Sequence, residues 1–292
     1  MISRREFVGG CAALAAVSGC KSMFGAGAVR FGMITDLHYA DLPMRRFGGG
    51  LDLYYSQSCD KLAEFVKTMN GLRPHFVIEL GDFKDQSSDK QKTLACLERI
   101  EKTFAGFDGP RYHVLGNHDE DCLSKHEFLS RLSNGGKEAD QYYAFDVRGI
   151  RFIVLDGCYN SKMEDYYPGN WDWTDANVPP VELQWLERKL KEAEGPAVVF
   201  CHQVLDDKPE GAHGLKNAAA VRAILERSGK VKSVFTGHQH GGGFRVVNGI
   251  SYHTLKAAVC GDHAAGKNAY ALVTVNADGT SSVQPFPPAT KI

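Results

Sequence analysis

Short apolar runs and helix-periodic stretches alternate along the chain from Val29 onward, and several of the apolar runs break off at a polar residue able to bind a cation. Residues 30–35 predict a buried strand that stops at Asp36, and residues 75–80 another that stops at Gly81-Asp82. Residues 111–115 stop at Gly116-Asn117-His118-Asp119, residues 197–201 at His202, and residues 232–236 at Gly237-His238-Gln239-His240. A continuous run of four to six apolar positions, bounded by turn formers, is the signature of a strand covered on both faces. One strand ending in a metal-competent residue is unremarkable; five such endings in one chain point to a site assembled from strand ends.

The stretches between them have helical spacing. Residues 57–70 put Leu62, Phe65, Val66 and Met69 on one face, and residues 88–104 do the same with Leu94, Leu97, Ile100 and Phe104. Residues 181–193 present Leu183, Leu186 and Leu190; Asn217 is a candidate N-cap for residues 218–227, with Gly229 as the stop. Residues 142–147 and 151–155 read as a hairpin turning at Arg148-Gly149, and residues 251–255, 269–275 and 282–284 as late strands. The aromatic-rich, Pro- and Gly-broken segment 159–180 predicts a long surface insertion. Strands that alternate with helices, plus hairpins, imply an α/β protein with more than one sheet.

Composition narrows the function. The 292 residues, 43% hydrophobic and 24% charged, can bury a core of ordinary size. A formal net charge of -1 gives no strong attraction to nucleic acid or to an anionic membrane, which disfavours a nuclease. The first residues change the picture differently. Arg4-Arg5 stand ahead of a weakly apolar, Gly- and Ala-rich stretch, the order of a twin-arginine export signal. Val17-Ser18-Gly19-Cys20 then resembles a lipoprotein box with Cys20 as the lipidated residue, while Ala26-Gly27-Ala28 offers an ordinary cleavage site. Residues 1–28 are therefore expected to be an export signal and linker, and residues 29–292 the working domain. The chain is expected in the periplasm or cell envelope, touching membrane only through a lipid at Cys20. Cys11 also falls in the expected signal, and the six cysteines after residue 28 are scattered without a CxxC, which argues against a zinc ribbon or a disulfide scaffold.

Carboxylate, imidazole and one amide oxygen suit Mn, Fe or Zn better than Ca or Mg. Asp36 and His38 are two apart, so both can reach one ion. A single carboxylate has two oxygens and can bridge two ions, the role expected of Asp82. Two ions about 3.5–4 Å apart can supply a hydroxide and clamp both sides of an in-line phosphoryl displacement.

These blocks, D-x-H, G-D, G-N-H-D, H and G-H-x-H, resemble the calcineurin-like metallophosphoesterase superfamily and span Asp36 to His240. The resemblance implies a two-sheet β-sandwich flanked by helices, in four α/β/β/α layers. It implies two divalent transition-metal ions, the first on Asp36, His38, Asp82 and His240, the second on Asp82, Asn117, His202 and His238. It makes His118 the catalytic, non-ligand histidine beside the phosphate; Asp119, next in sequence, is a candidate to orient it, as a carboxylate fixes a catalytic imidazole. Gly81-Asp82-Phe83-Lys84-Asp85 has no tyrosine, unlike the purple acid phosphatases. Tyr39-Ala40-Asp41-Leu42, Tyr54-Tyr55, Gln184-Trp185-Leu186, the glycines after His240 and Tyr252-His253 are similar to the manganese-dependent ADP-ribose/CDP-alcohol diphosphatase branch. The implied partner is a small phosphorylated compound such as a nucleotide diphosphate. A phosphomonoesterase on the same centre, or a binding protein that kept the fold, is the alternative.

Some residues are left over. His213 and His253 are candidates to orient a ligand imidazole from behind. Arg45-Arg46 is either a solvated loop pair or a phosphate clamp. Tyr166, Tyr167, Trp171 and Trp173 could stack on a nucleobase or pack on one another as a lid.

Overall fold

The computed structural model describes residues 27–206, 208 and 212–288; Arg4, Arg5 and Cys20 of the expected export signal lie outside the described residues. The first sheet takes β1 (Val29–Ile34), β2 (Phe76–Glu79) and β3 (Arg111–His113), with helices α1 (Ser58–Leu72), α2 (Lys90–Phe104) and α3 (Lys125–Leu129) between and after them. A small hairpin follows, β4 (Ser133–Asn134) with β5 (Lys137–Glu138). The second sheet takes β6 (Tyr143–Val147), β7 (Ile150–Val154), β8 (Ala197–Phe200), β9 (Val231–Thr236), β10 (Gly243–Val247) and β11 (Ile250–Thr254). Helices α4 (Pro180–Glu192) and α5 (Ala218–Ser228) connect β7 to β8 and β8 to β9. The chain then returns to the first sheet as β12 (Tyr270–Val275) and β13 (Ser281–Phe286).

Sheet order is β13-β12-β1-β2-β3 and β10-β11-β9-β8-β7-β6. In each sheet the central strands run parallel, β1 to β3 in one and β7, β8, β9 and β11 in the other. Loops at the carboxyl ends of parallel strands share one edge, which is where open α/β sheets place their sites.

Period-two alternation explains the layers. In β1, Val29, Phe31 and Met33 face the second sheet, and Ile34 faces the helices. Phe31 stacks on Phe76 at 4.9 Å and meets Phe152, Phe200 and Phe235 edge-on at 5.5–5.9 Å, so an aromatic seam locks the two sheets. Truncating one such ring costs about 3–5 kcal/mol. Leu62, Phe65, Val66 and Met69 of α1 fall at i, i+3, i+4 and i+7 and cover the outer face of the first sheet with α2. Leu186 and Leu190 of α4 and Val221 and Leu225 of α5 cover the second. The result is the expected helix, sheet, sheet, helix order.

Two local expectations need correction. Asn217 precedes α5 but does not cap it with its side chain. It instead exchanges hydrogen bonds with the backbone of Val178, at 2.7 and 3.1 Å, which ties α5 to the entry of α4. Segment 159–180 is not wholly a surface insertion, because Tyr166, Ala176 and Val178 are buried. The Tyr166 hydroxyl donates to the carbonyls of Asp172 and Asp175, so the ring enters the core with its polar end satisfied. Among the described residues no helix is long and apolar enough to cross a membrane, and the six described cysteines are free.

Candidate metal centre

The five strand-end loops meet at one edge of the sandwich and are stitched to each other. The Asp36 N–H donates to the Gly81 carbonyl at 3.0 Å and the His38 N–H to the Asp82 carbonyl at 2.8 Å. The Gly237 N–H donates to the His202 carbonyl at 2.9 Å. Close contact requires small residues here: a Cβ on Gly116 would lie 2.1 Å from the Asp82 nitrogen. The loops are also strained. Asp36, His38, Asp82 and His238 all have φ between 45° and 65°, a region that residues with a side chain rarely adopt. Four of the seven expected ligands in that conformation is a local cost of the kind that persists at working sites.

All seven expected ligands are brought together. Asp36, His38 and His240 form one group whose donor atoms lie within 4.8 Å of one another, and Asp82, His202 and His238 form another. The Asp82 carboxylate stands between them: its Oδ2 is 3.4 Å from His38 Nε2 and 3.2 Å from His202 Nε2. Asp36 Oδ1 is 3.8 Å from His38 Nε2 and 3.6 Å from His240 Nε2. Asn117 lines the same cavity as His38, Asp82, His238 and His240.

Three of the donors, His202, His38 and Asp36, are aimed by a partner on the far side. His202 Nδ1 bonds the Leu80 carbonyl at 2.7 Å and His38 Nδ1 the Asp85 carboxylate at 3.2 Å, so each ring turns Nε2 toward the cluster. Asp36 Oδ2 accepts from Thr35 Oγ1 and from the His238 N–H, and Oδ1 is left over. The buried atoms without a hydrogen-bond partner include Asp36 Oδ1, Asn117 Oδ1, His202 Nε2 and His238 Nε2. Buried polar atoms are normally paired, so four orphans converging on one spot describe unmet coordination. Donor set, bridging carboxylate and orphaned atoms fit two divalent metal ions.

The charge balance agrees. Burial disfavours protonation of His38 and His202, but Asp82 and Asp36 together with Asp85 at His38 and the Leu80 carbonyl at His202 outweigh it and push both up to about 9. Burial wins at His240, held down to about 4, and at His238, held well below its usual value by burial and by neighbouring His202. Asp36 is buried, yet His38, His202 and His240 hold it at about 2, and despite burial His202, His118 and His38 hold Asp82 well below the usual carboxylate range. Protons on His38 and His202 thus neutralise carboxylates that divalent cations would otherwise neutralise.

His118 sits beside the cluster, partly exposed to the cavity, its ring 4.7 Å from that of His38. Burial opposes its charge, but Asp82, Asp121 and Asp85 raise its pKa well above the ordinary histidine value. These carboxylates favour the protonated ring. The expectation that Asp119 orients it is corrected. The Asp119 carboxylate points the other way and accepts the N–H groups of Asp82, Phe83, Lys84 and Gly116 at 2.8–3.3 Å. Four converging amide donors hold a carboxylate better than one imidazole, so Asp119 ties the Asp82 loop to the Asn117 loop. The carboxylates beside His118 Nδ1 are Asp85 at 3.5 Å and Asp121 at 3.6 Å. Lys84, fully buried, pairs with Asp121 and donates to the His118 carbonyl.

Other leftovers divide. The rings of His213 and His238 lie 5.1 Å apart, so His213 does stand beside a ligand. His253 does not: it stacks on Phe235 at 5.0 Å, a core histidine held down to about 4 by burial. Sequence reasoning missed Lys61, whose buried ammonium donates to the carbonyls of Ala258, Val259, Cys260 and Gly261 at 2.7–3.3 Å. That loop in turn donates the Val259 N–H to the Asp36 carbonyl. A lysine on the apolar face of α1 was the available signal.

A four-layer sandwich with a two-metal donor cluster at its strand ends, flanked by a histidine set among carboxylates, defines a metal-dependent phosphohydrolase. The chain belongs to the calcineurin-like phosphoesterase family, whose model matches residues 29–242. It is 29% identical over 272 residues to a manganese-dependent ADP-ribose/CDP-alcohol diphosphatase of Arabidopsis thaliana, covering 78% of this chain and 86% of that one. The corresponding diphosphatase of Oryza sativa is also 29% identical, with 78% and 83% covered. Among solved structures, a dimetal phosphatase from Danio rerio superposes with a TM-score of 0.73 at 20% identity, over 87% of this chain and 98% of that one, and shares the fold.

Proposed function

We propose that Asp36, His38, Asp82 and His240 hold one ion, that Asp82, Asn117, His202 and His238 hold the other, and that the chain hydrolyses a phosphoanhydride of the nucleotide diphosphate type. The observation that carries the metal assignment is the set of orphaned, inward-aimed donor atoms around Asp82. The similarity to the plant diphosphatases supports the substrate class and, by their name, manganese. When bound, such ions make hydroxide available at neutral pH and offset charge on the phosphoryl oxygens. Asp82 keeps both halves of the cluster together, and Thr35 and His238 fix Asp36 through its second oxygen. His118, held by Asp85 and Asp121, gives its proton to the departing oxygen.

The test is a panel of monoesters, diesters and nucleotide diphosphates given to the protein after metal removal and reconstitution with Mn. Turnover of a diphosphate well above that of monoesters supports the reading; monoester preference would replace it with a phosphomonoesterase, and no turnover of any substrate with two ions bound would leave a binding protein. The export reading stands on Arg4, Arg5 and the Cys20 box. Mass spectrometry of the native N-terminus checks it: lipid on Cys20 supports it, and a start at Val29 keeps export while removing the anchor.

A further inference from the structure

Large apolar side chains left in solvent beside a cavity signal a ligand surface. Of the eight that stand most exposed among the described residues, three rim the metal cluster: Met44 at 41%, Phe47 at 63% and Trp173 at 40%. Two cavities meet there. The larger, about 570 Å³, reaches from His238 past His118 and carries Phe47, Trp171 and Trp173. The smaller, about 460 Å³, lies on the other side and is lined by Leu42, Pro43 and Met44. Arg45, Tyr55, Asp85 and His118 line both.

The two tryptophans do different jobs: Trp171 is half-buried and packs against the core, whereas Trp173 is displayed to solvent. Tyr166 also packs inward, and Asp172 accepts from the Thr174 amide at 2.9 Å and hydroxyl at 2.7 Å, fixing the turn between them. Trp171 then lies 5.0 Å from His118 and Trp173 5.8 Å from His238, so each covers one flank of the cluster. Across the cavity Arg45 holds its guanidinium 5.3 Å from the Phe47 ring. A monoester has one phosphate and one arm. It would leave the second cavity, which shares Arg45 and His118 with the first, without a use.

We propose that the cleft is shaped for a two-armed diphosphate: the attacked phosphate at the metal cluster, its neighbour on Arg45, a planar ring on Trp173, and the second substituent in the groove at Met44. The inference rests on the phosphohydrolase reading and adds which side chains choose the substrate. The step balances simply. A hydroxide oxygen forms the new bond to phosphorus, and the bond from that phosphorus to the bridging oxygen breaks with its electron pair going to the bridging oxygen. His118 protonates that oxygen and regains a proton from the consumed water, so two phosphate monoesters result. The guanidinium suits the second phosphate because its planar donors match phosphate oxygens, and an indole face accepts any base.

The experiment uses the Mn-loaded full-length protein, Trp173→Ala and Arg45→Gln, with ADP-ribose, dimethyl diphosphate and methyl phosphate. Hydrolysis of bis(4-nitrophenyl) phosphate by the wild type first establishes the phosphohydrolase itself. Trp173→Ala should lower kcat/KM for ADP-ribose about tenfold more than for dimethyl diphosphate, mainly through KM. Arg45→Gln should lower both diphosphates about tenfold more than methyl phosphate. Titration with AMP should quench tryptophan fluorescence in the wild type and less in Trp173→Ala, whereas ribose 5-phosphate should quench neither. Equal losses on all substrates, or equal quenching by AMP in both proteins, overturn the proposal while bis(4-nitrophenyl) phosphate turnover keeps the underlying activity intact.

Discussion

Strands β2 and β3, with the loops that follow them, contribute to two clusters of buried acid and imidazole a few residues apart, and the two behave oppositely. Within the strands, Glu79 meets His113 Nδ1 at 2.9 Å, and Glu101 of α2 meets His113 Nε2 at 3.2 Å and Arg111 at 3.0 Å. Phe83 and Phe104 close over the His113 ring at 5.1 Å each. Just past the strand ends, Asp82 and Asn117 join five more donors and face a cavity. Residue type is nearly the same in both. What separates the structural ion network from the site is whether the core packs over the polar groups, as Phe83 and Phe104 do over His113, or leaves them lining an open cavity. Strained φ angles mark the second cluster: they occur at Asp82 and not at Glu79 or His113.

The comparison breaks most visibly at Asp82. Asp82→Asn should lower turnover about 10³-fold, as loss of a charge at the reacting centre does, and should reduce bound Mn from two ions per chain. Metal analysis alongside kinetics checks this, and two ions held at wild-type affinity would remove the bridging role. His118→Asn should cost roughly 10²-fold, the low end for a general acid, with metal content unchanged. The loss should be large for an alkyl leaving group and small for nitrophenolate, which departs without a proton. Equal losses for both would make His118 a charge stabiliser instead.

The closed cluster should respond in stability and not in metal content. Burial opposes charge on His113, but Glu101 and Glu79 push its pKa up to about 9, above the 6.5 of an unfolded histidine. A raised histidine contributes stability that is fully present below pH 6.5 and is lost as pH rises through about 9. Glu101→Gln should therefore destabilise by on the order of 2–3 kcal/mol at pH 6, and the difference from wild type should shrink toward pH 9. Urea unfolding at pH 6, 7.5 and 9 measures it; a pH-independent difference would mean His113 is not charged in the fold. The smallest effect belongs to Asp119→Asn, about 1–2 kcal/mol from weakened amide bonds, with the leaving-group dependence of turnover kept. Loss of that dependence would restore Asp119 to a role on His118.

The site was legible because strand periodicity puts each ligand just past a buried run, and the backbone then has little freedom in where it sends the next residues. Asp36, Asp82, Asn117, His202 and His238 all follow this rule. Side-chain direction was not legible. Asp119 follows His118 in sequence, but the left-handed bend at Asp82 turns a row of amides toward it, and it serves them instead. Asn217 is drawn from its cap by Val178, a long-range partner that local sequence does not announce. Strand β10 was missed because it is an edge strand with Phe244, Arg245 and Val246 exposed, although Asn248-Gly249 after it carries the turn signal of a hairpin. Lys61 reads as an ordinary helix lysine until the loop 258–261 folds its carbonyls around it.

Anomalous diffraction from crystals of the full-length protein soaked in Mn tests most directly whether the open cluster is a two-metal centre. Two peaks about 3.5–4 Å apart, with the Asp82 carboxylate between them and His118 bound to neither, is the predicted result. A single peak, or a pair that leaves Asp82 unliganded, would contradict it.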